Sequence, residues 1–258
     1  MYAIVTAGGI PQPGEPLYEY TLGLPKAMLD LAGKPMIQWV LDALSGANSV
    51  GEVILVGLED SSAVRCEKKM HFVENQGGIL QNMRAGVEKA LALDPKSHHV
   101  LAVSSDIPGI EPEMVDWLVD AAMETDDDIY YNVITRQVME ARYPKSKRSY
   151  IHLKNAEVCG GDMNMVRAKT VTGNEELWER LISARKSALK QAALIGYGTL
   201  LLLLLRQLKV ESGVKRVSER LNIHGRVIFC PYAEVGMDVD KPHQLELMRA
   251  DLSEKAMA

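Results

Sequence analysis

Cysteine is scarce in this 258-residue chain: Cys66, Cys159 and Cys230 stand far apart, with no CxxC pair. That spacing excludes a disulfide framework and a cysteine-based zinc site, and it points to a reducing compartment. The six histidines form no ligand pattern, and the His98-His99 pair at a strand entrance reads as structural. A basic surplus is missing as well. The formal net charge of −5 argues against a nucleic-acid groove as the chain's main surface. No apolar run reaches the roughly 20 residues that a spanning helix needs. The longest, Ala192 to Leu205, is flanked by Lys186, Lys190, Arg206 and Lys209. A run of this size reads first as a buried core helix, with a membrane-surface helix and a homo-oligomer interface as alternatives. Met1 leads at once into an apolar strand with no signal segment before it, so a cytoplasmic protein is expected. Internal repeats, low-complexity linkers and a convincing domain boundary are absent too, and the length suits a single domain over 1–258.

What is present begins at the amino terminus. The apolar strand Tyr2 to Ala7 runs into Gly8-Gly9, and a long loop then ends at Leu24-Pro25-Lys26. The turn Ala32-Gly33-Lys34-Pro35 and a helix over Met36 to Leu44 follow. Glycines at the carboxyl end of a strand let backbone N–H groups face an anion at close approach. A lysine returning to that loop adds a compact charge suited to phosphate. The pattern predicts a triphosphate cradle at the carboxyl edge of an α/β sheet, the edge where open-sheet ligands bind.

Strands and helices alternate from there. Strands are expected at 52–57, 99–104 and 128–135, and helices at 80–93 and from Pro112. The regularity weakens beyond Thr135, where a polar, basic stretch carries Arg142, Lys145, Lys147 and Arg148. Helices are expected over 175–191 and in the apolar run, then a late strand at 226–230. Asp126-Asp127-Asp128 reads as a solvated turn, since consecutive side chains cannot all converge on one ion.

Three further segments carry chemistry. Asp106 follows directly on the strand 99–104, level with the glycine loop, and lies too far before the helix near Glu111 to cap it. A carboxylate there suits Mg²⁺, a hard ion that takes oxygen ligands and bridges phosphates. Near the carboxyl end, Asp238 and Asp240 alternate across one extended residue and so face one side, ahead of Lys241-Pro242 and a helix that Asp240 is placed to cap. Cys159-Gly160-Gly161-Asp162-Met163-Asn164 offers paired glycines followed by two polar side chains able to bond hydroxyls. Gly77-Gly78 precede the helix at 80–93, whose Arg84 reads as a helix-surface residue.

Leu24 to Leu44 closely resembles the opening of sugar-1-phosphate nucleotidylyltransferases. Asp106-Ile-Pro108 and Asp238 to Pro242 extend the likeness to the MobA-like NTP transferases. The resemblance implies a Rossmann-like GT-A nucleotidyltransferase fold of the α/β class, with a mostly parallel central sheet and helices on both faces. It implies a nucleotide-binding half at 1–135, with acceptor-side and closing elements at 136–258. The implied activity is Mg²⁺-dependent transfer of a nucleoside monophosphate from an NTP to a phosphorylated small molecule, releasing pyrophosphate. Ala7, Gly8, Gly9, Lys26, Gly77 and Gly78 would hold the nucleotide, with Lys26 and Asp106 catalytic. Asp106 and Asp238 would hold Mg²⁺, and Asp162 and Asn164 would face the acceptor. The chain departs from the family in one place: the loop from Gly9 to Leu24 carries Pro11, Pro13, Pro16, Glu15 and Glu19 and no arginine, so a bidentate phosphate clamp is lost. The alternatives are a GT-A glycosyltransferase using an NDP-sugar, and a nucleotide-binding homologue without turnover.

Overall fold

The computed structural model describes residues 1–58, 63–173, 177 and 194–257. Strand β1 (Tyr2–Thr6) lies inside the sheet, flanked in parallel by β4 (Glu52–Val56) and β6 (His99–Ser104), with β5 (Lys69–Val73) parallel to β4. Beyond β6 the pairing reverses. β10 (Met163–Arg167) runs antiparallel to both β6 and β7 (Ile129–Thr135), β9 (Glu157–Gly160) antiparallel to β7, and β8 (Ile151–His152) antiparallel to β9. β11 (Gly225–Phe229) adds to β7 in parallel. A separate small hairpin joins β2 (Asp30–Leu31) to β3 (Lys34–Pro35) through Ala32 and Gly33, both at positive φ. Such a turn matches the twist of the strands it joins.

Alternation along the parallel strands explains why helices cover both faces. Ala3, Val5, Val53, Leu55, Leu101 and Val103 point into one core with Met36, Val40, Leu41, Val115, Leu118, Leu245 and Met248. Ile4, Ile54, Val56 and Val100 point the other way, onto Val87, Ala90, Ala168 and Val171. The helices Met36–Gly46, Pro112–Met123 and Pro242–Met257 therefore bury the first face, while Ile79–Leu93 and Ala168–Gly173 bury the second. Strands buried on both sides read as continuous apolar runs, which is why 52–56 and 99–104 stood out in the sequence.

Several expectations need correction. The polar stretch after Thr135 begins with a helix, Arg136–Arg142, whose first turn is capped by Thr135 Oγ1 accepting from the Val138 N–H. Asp126 to Asp128 is not simply solvated: Arg167 pairs with Asp126 and Asp128, and Asp128 also accepts from Thr170 and from the His224 N–H. The apolar run is not a buried core helix. From residue 194 onward it is described, and its helix Tyr197–Leu204 buries Thr199 while Tyr197, Leu201, Leu204 and Leu205 are exposed by 57–71%. The helix expected at 175–191 lies, apart from Leu177, outside the described residues, as do residues 192–193. Among the described residues no helix is long and apolar enough to cross a membrane.

Candidate active site

The register of the strands sets the site. Thr6 lies opposite Val56 and Ser104, and Val56 opposite Val73, so β5, β4, β1 and β6 all end on one row. Their following residues emerge together at the carboxyl edge: Gly8-Gly9 after β1, Gly57 after β4, Asn75 after β5, and Ser105-Asp106 after β6. β10 starts from the same row and runs the opposite way, and the Ser104 N–H donates to the Asp162 carbonyl just before it at 2.9 Å. The closing segment is tied in by the Val239 N–H, which donates to the Asp106 carbonyl at 2.9 Å and sets Asp238 and Asp240 beside Asp106.

The glycine loop is held tightly from behind. A Cβ on Gly57 would lie 2.5 Å from Gly8 Cα, so the two backbones meet with no room for a side chain. Asn75 Nδ2 donates to the Gly8 carbonyl at 3.0 Å, while Asn75 Oδ1 accepts from the Gly77 N–H and from Asn82 Nδ2. One asparagine thus fixes Gly8 relative to the Gly77-Gly78 segment. Sequence reading missed it, and an isolated Asn after an unrecognised edge strand gave no signal. The long loop closes on itself where the Lys26 N–H donates to the Gly9 carbonyl at 2.8 Å.

That closure aims Lys26 at the carboxylates. Its ammonium lies 2.5 Å from Asp106 Oδ2 and 2.6 Å from Asp240 Oδ1. Burial by itself would lower the Lys26 pKa, and the two carboxylates outweigh it, raising it above the ordinary lysine value. Asp240 therefore spends its carboxylate on Lys26, and its N–H is instead bonded by the side chain of Gln244 in the helix that follows. Asp238 is buried and ion-paired with Arg148.

Lys26, Asp106, Asp238 and Asp240 line a cleft of about 970 Å³ that also takes in Gly8, Gly9, Gly77, Gly78, Ile79 and Asn82. Its charge is informative. Glu15, Asp106, Asp162, Asp238 and Asp240 are set against Lys26 and Lys241 alone. Asp106 Oδ1 is buried with no hydrogen-bond partner. A surplus of carboxylates, with an orphaned oxygen on Asp106 and with Asp238 Oδ1 making no hydrogen bond beyond its ion pair with Arg148, suits a hard divalent cation. A second cluster, His98, His99 and Asp126, brings its ligand atoms within 4.8 Å of one another, but Arg167 bonds both Asp126 and His98 and supplies the cation itself.

Asp162 sits partly buried in this wall. Burial raises its carboxyl, with the charges of Asp106 and Asp240 adding to the effect against the lowering pull of Arg148 and Lys26, and the result is a value of about 7. The folded state thus holds this proton more tightly than the unfolded chain does. Stability carried by protonated Asp162 is complete below the ordinary aspartate range and is lost as pH rises to about 7. Asp162→Asn should flatten the dependence of the urea midpoint on pH between about 4 and 7, measured against wild type. Parallel curves for the two proteins would show that no strained carboxylate is there.

Not every expected residue reaches the cleft. Gly8, Gly9, Lys26, Gly77, Gly78, Asp106, Asp162 and Asp238 line it. Ala7 does not: its side chain is buried, and its N–H donates to the Val56 carbonyl, so the sheet has used the donor an anion would need. Asn164 does not face an acceptor either. Its Oδ1 accepts from the Asn132 N–H and its Nδ2 donates to the Gly161 carbonyl, which pins β10 to β7. Arg84 pairs with Glu88 on its own helix, and Arg142 with Glu234 and Asp251.

Residues 20–224 match the family model described as the MobA-like NTP transferase domain. A hypothetical transferase from Thermus thermophilus is 30% identical over 95% of this chain and 98% of that one, with a TM-score of 0.79. CMP:2-keto-3-deoxy-manno-octonic acid synthetase, solved in complex with CTP, shares the fold at 17% identity, 98% and 99% coverage and a TM-score of 0.61. So does 4-diphosphocytidyl-2C-methyl-D-erythritol synthase from Anaerococcus prevotii, at 15% identity, 97% and 95% coverage and a TM-score of 0.58. A search of curated proteins found no match.

Proposed function

This chain belongs to the family of MobA-like NTP transferase domains, and on that footing we propose that it is a Mg²⁺-dependent nucleotidylyltransferase acting on a phosphorylated small-molecule acceptor. The observation that carries the reading is Lys26 bridging Asp106 and Asp240 beside the glycine loop, at the carboxyl edge of the parallel strands. A lysine so placed is a mobile cation within reach of a triphosphate, and the carboxylates it leaves behind are ready for a metal ion. Solved structures that share the fold include a synthetase bound to CTP, which supports an NTP as the occupant of the cleft.

In this mechanism residues 1–135 take the nucleotide and residues 136–258 supply the acceptor side. Backbone N–H groups of Gly8 and Gly9 face the phosphates, with Gly77, Gly78 and Ile79 as the wall for the base. Lys26 neutralises charge on the departing pyrophosphate. Asp106 and Asp238 would hold Mg²⁺, which supplies Lewis-acid polarisation of the α-phosphate. Asp162 faces the acceptor. An acceptor phosphate is already ionised near neutral pH, so no general base is needed, and the chain's task is positioning and charge neutralisation. The acidic lining supports the metal for a simple reason: without one, a polyphosphate would meet more negative than positive charge.

A thermal-shift screen of the four NTPs with and without Mg²⁺ tests this. A nucleotide present at a hundred times its Kd stabilises the fold by about 2.7 kcal/mol, several degrees for a chain of this size. One NTP should do so, in a Mg²⁺-dependent manner, and should yield pyrophosphate with an acceptor phosphate. Stabilisation without pyrophosphate from any acceptor would favour a binding protein over an enzyme.

A further inference from the structure

Arg142, the last residue of the helix Arg136–Arg142, and the segment from there to β8 carry four basic residues, and one of them differs from the rest. Lys145 and Lys147 are exposed, and Arg142 is committed to Glu234 and Asp251. Arg148 turns inward: its side chain is 15% exposed and ion-paired with Asp238. Two features hold it there. Lys147 adopts a positive φ of 51°, an uncommon conformation for a residue with a side chain, which swings the next residue toward the cleft wall. The Ser146 carbonyl accepts from His243 Nε2 at 3.0 Å, which docks the loop on the helix that follows Asp240.

We infer that Arg148 is a movable counter-ion, paired with Asp238 as the structure shows and serving as the acceptor's phosphate ligand once Asp238 is engaged by metal. This rests on the proposed nucleotidyl transfer. The cleft itself holds few cations, Lys26 and Lys241, and the long loop of residues 10–24 contributes no arginine. A dianionic acceptor needs one more positive group on the side opposite the nucleotide, and Arg148 is beside the lining residue Asp238 and acts on the charge of Asp162. Its valence is incompletely used. Arg148 Nε is buried without a hydrogen-bond partner, as is the neighbouring Tyr150 hydroxyl. A guanidinium presents donors in a fork that matches two oxygens of one phosphate, so a phosphate would complete what Asp238 leaves open. One carboxylate cannot serve a divalent ion and a guanidinium equally, so metal loading weakens the hold on Arg148, and by reciprocity Arg148 weakens the metal.

The test uses full-length Arg148→Gln and Arg148→Lys. Mn²⁺ is titrated without nucleotide and the free ion read by electron paramagnetic resonance, and Arg148→Gln should bind it roughly tenfold more tightly than wild type. Inorganic phosphate is titrated by calorimetry onto protein loaded with Mg²⁺ and NTP, and there Arg148→Gln should be roughly tenfold weaker, with Arg148→Lys between the two. A purely structural arginine would leave Mn²⁺ affinity the same or lower on removal, and that result overturns the counter-ion role. Unchanged phosphate affinity overturns the ligand role. Should Arg148→Gln not fold, the wild-type Arg148 Nε resonance, assigned by its loss in Arg148→Lys, must move on adding Mg²⁺ and again on phosphate; a stationary resonance sinks the idea. Wild-type protein that no NTP stabilises would sink nucleotidyl transfer itself, whereas intact NTP stabilisation with unmoved Mn²⁺ and phosphate affinities removes this inference alone.

Discussion

Asp106→Asn is expected to lower nucleotidyl transfer by about a thousandfold while leaving the fold in place. The amide has the shape of the carboxylate, so the turn after β6 and the bond from the Val239 N–H to the residue 106 carbonyl persist. Lys26 keeps Asp240 as a partner and is not stranded. What disappears is the negative charge at the orphaned Oδ1, the oxygen proposed to take the metal. The signature is therefore a split. Affinity for the NTP in EDTA should stay within about threefold of wild type, since the glycine loop and Lys26 are untouched. The gain in NTP affinity on adding Mg²⁺ should vanish, and pyrophosphate release with it. Calorimetry in the two buffers and a pyrophosphate assay read these separately. An Asn variant that still gains affinity from Mg²⁺ would move the metal away from Asp106.

Much of this site was legible in the sequence because its motifs sit at strand ends. A buried parallel strand reads as an apolar run, and whatever follows it must emerge at the carboxyl edge. Gly8-Gly9 after β1 and Asp106 after β6 could be placed on the same rim without a structure, and Asp238 and Asp240 could be assigned to one side by their spacing. The parts that were not legible depend on contacts across the chain. Nothing local says that Asp240 turns to Lys26, 214 positions away in sequence, in place of capping its own helix. Asp162 and Asn164 looked alike, two polar residues after paired glycines, yet β10 enters the sheet antiparallel and puts them to different uses. Asp162 reaches the cleft at the strand's end, while Asn164, two residues on, is taken up in bonds to Asn132 and Gly161. β5 escaped notice because it is an edge strand with Lys69 and Phe72 exposed, and Asn75 was hidden with it. The described part of the apolar run, 194–205, shows the limit most plainly: apolar composition says that a helix wants cover, yet Tyr197, Leu201, Leu204 and Leu205 are exposed.

Gly57→Ala is expected to cost about 3 kcal/mol of stability, although residue 57 touches no proposed ligand. Two penalties add. Gly57 has φ of +93°, in the left-handed region, where a β-carbon costs roughly 1–2 kcal/mol. That β-carbon would also sit 2.5 Å from Gly8 Cα and 2.7 Å from Gly8 N, and backbone cannot rotate out of the way as a side chain would. Nor can residue 57 retreat, because its N–H is bonded to the Val73 carbonyl and the Ala7 N–H to the Val56 carbonyl, which fixes it between β5 and β1. Relief comes only by pushing Gly8 toward the cleft and off Asn75, so the damage reaches the proposed phosphate loop. The urea midpoint should fall by about 1 M at an m-value near 3 kcal/mol/M, and NTP stabilisation should fall with it. Gly9→Ala is the matched control, with nothing within 4 Å of its β-carbon and no positive φ, and it should cost less than about 1 kcal/mol. Equal midpoints for the two variants would mean that β1 and β4 do not meet as closely at their carboxyl ends as Gly8 and Gly57 require.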